Sequence, residues 1–135
     1  MPMRVIDPLL ASRFSPLASL HSLLSTPLNQ RGNTMPYVID ATDKPDSAAL
    51  RAAERPKHMA FLDSNLPQLI AVGAKLRDDG ETAWGSLYII DVDDRAAAEA
   101  FIKDDPFSKA GLFGKVEISR WRKGFLDGKK IPPKT

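Results

Sequence analysis

His58 stands in the stretch ERPKHMAFLDSN, residues 54–65, and is the single histidine of residues 35–135; the chain's other histidine is His21. An imidazole titrates near neutrality, so it can take and return protons at pH 7 and is the first candidate for acid–base chemistry. The competing roles are structural: a histidine that bonds a backbone carbonyl, or one on the surface. Three residues earlier, Arg55 presents a planar fork of donors that can hold a substrate carboxylate through two hydrogen bonds. An ion pair with Glu54 or Glu99 competes for it. Other chemistries find little support in the residues. The absence of cysteine removes disulfides, thiolate nucleophiles and Cys-ligated zinc. GAKLRDDG (73–80) lacks the Gly-Lys-Ser/Thr ending of a phosphate loop, and no Gly-x-Ser-x-Gly elbow occurs. One histidine beside Asp-Asp pairs is thin material for a metal site, so neither a metal nor a cofactor is expected.

The elements that must position these side chains follow from local pattern. PYVIDAT (36–42) is a β-branched and aromatic run that predicts a strand. DKPDS (43–47) is a turn in which Asp46 or Ser47 can cap a helix. SAALRAAE (47–54) is helical, Pro56 predicts a break, and a second helix is expected from Arg55 to Ser64. His58 then falls at a helix start, where the positive end of the dipole can hold it neutral. SNLP (64–67) is a stop. QLIAVGAKLR (68–77) reads as a strand, with Gly73 marking a bulge or a close backbone approach. DDGET (78–82) has hairpin-turn chemistry, and WGSLYIIDV (84–92) is a strand apolar on both faces. DDRAAAEAFIKDD (93–105) is an amphipathic helix capped by Asp93, with Ala97, Ala98, Phe101 and Ile102 on one side and Arg95, Glu99 and Lys103 facing water. DPFSKAGLFG (105–114) is a loop or a single turn. KVEISRWRKGF (115–125) alternates as a last strand, with Val116, Ile118 and Arg120 on one side. The order predicts an α+β fold: a ferredoxin-like βαββαβ antiparallel sheet with its helices on one face. The other face is expected to keep apolar side chains such as Tyr88 or Ile90. Leaving them wet is unfavourable at about 25 cal/mol per Å², so a homodimer through that face is expected.

At 135 residues and 14.8 kDa the chain fits one domain with some excess. The expected division is an N-terminal extension over residues 1–34, a domain over 35–126 and a basic tail over 127–135. The extension is rich in Ser, Leu and Pro. It can be sequence translated ahead of a true start at Met35, an organelle-targeting leader, or an ordered arm. The sequence isoelectric point near 9.0 suggests a nucleic-acid partner, but the charge distribution opposes it. Of 19 Lys and Arg, Arg4, Arg13 and Arg31 lie in residues 1–34, and of 17 Asp and Glu only Asp7 does; residues 35–135 hold 16 of each sign. The one basic cluster, RWRKG (120–124) with GKK (128–130), reads as a solvated strand end. No apolar run of about 18 residues exists, so no membrane span is expected, and a cytoplasmic location is.

Taken together, PYVI, RPKHMAFL, GAKLRDDG leading to GSLYIIDV, and DDPFSKAGLFGKVEISRWRK resemble the YciI-like family of YCII-related domains, in the dimeric α+β barrel superfamily. The resemblance covers about residues 36–125. It implies a ferredoxin-like protomer that pairs into a dimeric α+β barrel, and a pocket with a His–Asp pair proposed as catalytic. Carried over, the pair is His58 and Asp105, the latter ahead of Pro106. Asp105 has a plainer reading, because Asp-Pro after a helix is a common turn start. Ser86 opens the strand where the family places pocket walls and can donate to a substrate oxygen. Phe107 and Trp84 can form apolar walls or simply pack in the core. Members related by the resemblance include a dehydrochlorinase acting on a chlorinated hydroxyquinol, and the wider superfamily includes muconolactone isomerases and cofactor-free monooxygenases. The implied function is cofactor-independent isomerase or lyase chemistry on a small cyclic or phenolic metabolite. The alternative is a non-catalytic dimeric module that binds a small molecule or a partner.

Overall fold

The computed structural model describes residues 35–132. The readings offered for residues 1–34, and His21 with them, lie outside the described residues. The elements are β1 (Tyr37–Asp43), α1 (Ala48–Asp63), a 3-10 turn (Leu66–Gln68), β2 (Leu69–Leu76), β3 (Ala83–Ile90), α2 (Arg95–Asp104), α3 (Pro106–Lys109) and β4 (Phe113–Arg120). A hairpin of β5 (Phe125–Leu126) and β6 (Lys129–Lys130) follows. The four long strands pair antiparallel in the order β2-β3-β1-β4. This is the ferredoxin-like α+β arrangement expected from the sequence.

Register and alternation decide which side chains meet the helices. Ile39 pairs with Tyr88 and with Ile118, and Tyr37 with Ile90, so these residues share a face. Ile39, Tyr88 and Ile90 are fully buried, as is Ala98 of α2, and Phe101 and Ile102 of the same helix are buried with them. The expectation that Tyr88 and Ile90 occupy the face away from the helices is therefore wrong: they form the helix-facing core. The opposite face carries Val38, Leu87 and Ile89, which alternate with them, among Asp40, Lys75 and Glu117.

Two further expectations are corrected. α1 runs unbroken through Pro56. Proline removes one helical hydrogen bond, to the carbonyl of Ala52, but both residues are exposed, and the two halves of the helix bury one continuous stripe containing Arg51, His58 and Leu62. That shared packing outweighs the local penalty. His58 consequently sits in the third turn, remote from the helix N-terminus, and the dipole argument does not apply to it. The close backbone approach in the sheet is at Gly85 instead of Gly73. A Cβ on Gly85 would collide with the Ala41 carbonyl oxygen and Lys75 Cε, whereas one on Gly73 would meet nothing within 4 Å.

Smaller differences have local causes. Asp94, and not Asp93, caps α2 by accepting from the Ala97 N–H at 2.8 Å. The β2–β3 turn is held by Asp79, whose carboxylate accepts from the Thr82 hydroxyl and from the N–H groups of Thr82 and Glu81. These bonds, the Thr82 hydroxyl first, pull its pKa down to about 2. β4, expected to run on to Phe125, ends at Arg120, and Asp127 and Gly128, both with positive φ, turn the following β5–β6 hairpin.

Candidate active site

One stripe of α1 supplies most of the site. Arg51, Arg55, His58, Met59 and Leu62 recur at helical spacing and line a cavity of about 690 Å³ between α1 and the β2–β3 side of the sheet. Ser86 on β3 and Phe107 on α3 line the same cavity. Its walls combine apolar residues such as Val72 and Leu76 with a few convergent polar groups, the usual character of a small-molecule site.

Asp105 stands immediately behind the histidine. It links α2 to α3 and is fully buried. As the cap of α3, its Oδ1 accepts from the Phe107 N–H at 2.9 Å. The turn-forming reading of Asp-Pro therefore describes this residue, and the same carboxylate also faces the imidazole. His58 Nδ1 lies 2.9 Å from both Oδ1 and Oδ2, and the Tyr88 hydroxyl donates to Oδ2 at 2.6 Å. An ionised carboxylate only accepts, so the proton of a neutral imidazole resides on Nδ1 and Nε2 keeps its lone pair. The ring itself is clamped: it stacks on Phe107 at 4.0 Å between centroids, 14° from parallel.

Arg51 forms the second polar centre. It contacts Asp43 at 3.2 Å and donates at 2.8 Å to both the Gly85 carbonyl and the Ser86 hydroxyl. Its guanidinium also lies 4.8 Å over the Phe107 ring. Burial pushes the Asp43 carboxyl up, and the charge and hydrogen bond of Arg51 pull it back only in part. Ser86 is thus buried, engaged with Arg51, and set in the cavity wall.

The structure brings His58, Arg55, Ser86 and Phe107 to one cavity, with Asp105 one layer behind. Arg55 is exposed, and its expected ion pairs are not made among the described residues: Glu54 pairs with Lys57 and Glu99 with Arg95. Trp84 lies outside this cavity, with Lys75 Nζ 4.0 Å over its ring. Sequence reasoning missed Arg51, Tyr88 and Asp43. Arg51 was findable, because it precedes Arg55 by four residues and His58 by seven on one helix face. Tyr88 was findable from strand alternation with Ser86. Among the described residues, no group of three or more His, Asp or Glu side chains converges as a metal site requires.

The family model of the YCII-related domain matches residues 35–122. The chain belongs to the YCII-related domain family. Protein YciI of Escherichia coli and Protein YciI of Shigella flexneri are each 33% identical to it over 98 residues, 67% of this chain and 100% of theirs. Among solved structures, 5-chloro-2-hydroxyhydroquinone dehydrochlorinase (TftG) from Burkholderia phenoliruptrix AC1100, in complex with 2,5-dihydroxybenzoquinone, is 28% identical. That likeness has a TM-score of 0.61 and covers 65% of this chain and 94% of the other. The YCII-related span contains every residue named in the cavity and its polar backing, while the β5–β6 hairpin lies beyond it.

Proposed function

We propose that this YCII-related domain is a small acid–base enzyme that needs no bound cofactor and carries out isomerisation or elimination on a small cyclic or phenolic metabolite. The observation that carries this reading is the position of His58. Its Nδ1 faces a buried carboxylate at 2.9 Å and its ring borders a cavity of about 690 Å³. Asp105 orients the imidazole and stabilises the imidazolium formed when Nε2 accepts a proton. In an elimination, Nε2 takes a proton from a ring carbon or hydroxyl, the freed electron pair builds the new double bond, and the leaving group departs with its own pair. In an isomerisation the same nitrogen returns the proton to a different atom. Arg55, free of ion pairs among the described residues, holds an anionic substituent. Phe107 and the apolar wall accommodate the ring, and Ser86 presents a hydroxyl oxygen. The similarity to a dehydrochlorinase of a chlorinated hydroxyhydroquinone supports the phenolic class.

The proposal extends to assembly and location. Two copies pair through the sheet face that carries Val38, Leu87 and Ile89, as a dimeric α+β barrel. No described helix is long and apolar enough to cross a membrane, and the protein is proposed to act in the cytoplasm.

The test is a screen of hydroxylated and chlorinated hydroquinones and small lactones against wild type and His58→Gln. The expected result is turnover of at least one compound by wild type, reduced by roughly 10²- to 10⁴-fold in the variant, with binding retained by calorimetry. Binding without turnover in the wild type would replace the enzyme with a ligand-binding module.

A further inference from the structure

Tyr88 has no role in the chemistry described so far, yet its hydroxyl makes the shortest hydrogen bond to Asp105, 2.6 Å to Oδ2. The same oxygen lies 2.9 Å from His58 Nδ1, so phenol and imidazole share it. The other oxygen receives the Phe107 N–H. Tyr88 is fully buried and does not line the cavity, so it cannot meet a substrate. Its ring stands edge-on to the imidazole, 6.2 Å away and 82° from parallel. Burial first, then the charge of Asp105 and the hydrogen bond to it, push the phenol's pKa far above its ordinary value, with Ser86 and Arg51 opposing weakly. The phenol therefore stays protonated and can only donate to the carboxylate. The Phe107 N–H alone leaves the carboxylate one firm anchor and freedom to turn about its Cβ–Cγ bond. The phenol supplies a second anchor from the sheet.

We propose that Tyr88 is the positioning residue of this site: by donating to Asp105 Oδ2 it fixes the carboxylate plane, which holds His58 as the Nδ1–H tautomer with Nε2 available to the cavity. For its effect on turnover this rests on the acid–base reading. The tautomer itself can be read without any substrate.

The experiment uses the full chain labelled with ¹⁵N and long-range proton–nitrogen spectra of the imidazoles, with His58→Gln separating the signals of His58 and His21. Wild type is expected to show His58 as the Nδ1–H form, its Nδ1 proton protected from exchange. Tyr88→Phe is expected to mix the tautomers and speed that exchange by roughly 10-fold or more. A folded Tyr88→Phe with an unchanged His58 spectrum overturns the proposal. The chain has two tyrosines, so if Tyr88→Phe does not fold, Tyr37→Phe allows fluorotyrosine to be placed at position 88 alone. That more acidic phenol keeps ring and hydroxyl, draws the carboxylate charge toward itself and moves the Nδ1 proton signal to lower frequency; an unmoved signal overturns the proposal equally. With a substrate in hand, kcat of Tyr88→Phe falls roughly 10- to 100-fold at unchanged KM. Mixed tautomers in a protein that turns over nothing leave the positioning role standing and remove the acid–base reading.

Discussion

Arg51 and Arg55 are one helical turn apart and line the same cavity, but their surroundings set them to different work. Arg51 is 9% exposed and tied to Asp43, Gly85 and Ser86; Arg55 is exposed and unpaired among the described residues. Replacing Arg51 by methionine keeps the bulk and strands a buried carboxylate, so Arg51→Met is expected to lose about 3 kcal/mol of unfolding free energy in urea. Arg55→Met is expected to stay within about 0.5 kcal/mol and instead to raise KM. Equal stability losses in the two would show that Arg55 is a structural residue. His58 and Phe107 were legible in the sequence because a lone imidazole and the Asp-Pro-Phe signature mark themselves; Arg55 was legible as a candidate carboxylate holder, with Glu54 or Glu99 expected to compete for it, and the structure gives those glutamates other partners. Arg51 and Tyr88 were marked only by their spacing from Arg55, His58 and Ser86, because arginine in an Ala-rich helix and tyrosine in an apolar strand are ordinary residues until tertiary packing encloses them. What distinguishes them is a partner 34 or more residues away for Arg51 and 17 for Tyr88.

At the scale of elements, the hydrophobic periods placed three of the long strands and α2 to within a few residues, carried the fourth strand past its end at Arg120, and split α1 in two at Pro56; the failures fall where a local rule met a long-range contact. The proline rule weighs one lost hydrogen bond and a clash of about 3 kcal/mol; it cannot see that Arg51, His58 and Leu62 are buried on both sides of Pro56. The glycine rule weighs conformational freedom and selected Gly73 where the neighbour-dependent need is at Gly85. The two glycines give a sharp comparison. Gly85→Ala forces a methyl group onto the backbone oxygen of Ala41 and is expected to destabilise by about 2 kcal/mol. Gly73→Ala meets open space, restricts only the unfolded chain, and is expected to stabilise by about 0.5 kcal/mol. Urea midpoints of the two variants at constant slope decide the matter; destabilisation by both in equal measure would mean that strand propensity, and not the close approach, is what the glycines serve. Gly85 also opens the way for Lys75, which crosses it to reach Asp40 and Thr42, so the cavity wall at Ser86 and the ion pair on the other face depend on the same missing side chain.

Among the described residues, the sheet has one face covered by helices and one that no described helix covers. The helices, the cavity and the polar chain behind it all lie on the first. On the second, Leu87 is 39% exposed, with Val38 and Ile89 beside it and the Lys75–Asp40 pair across the strands. Opposite charges flanking a short apolar strip suit a two-fold pairing in which each copy presents the same patch to the other. Leu87 alternates with Ser86 and Tyr88, so a substitution there reaches the proposed interface without entering the cavity. Burying one leucine stabilises by about 2 kcal/mol, and two-fold symmetry doubles the effect of losing it. Leu87→Lys is therefore expected to weaken association by about 4 kcal/mol, roughly 10³-fold in Kd, while leaving the helix-facing core intact. Light scattering at micromolar concentration should give the mass of two chains for wild type and of one for the variant, with matching far-ultraviolet circular dichroism. A monomeric wild type removes the barrel assembly and leaves the cavity as a property of the single protomer, which its lining by one chain already permits.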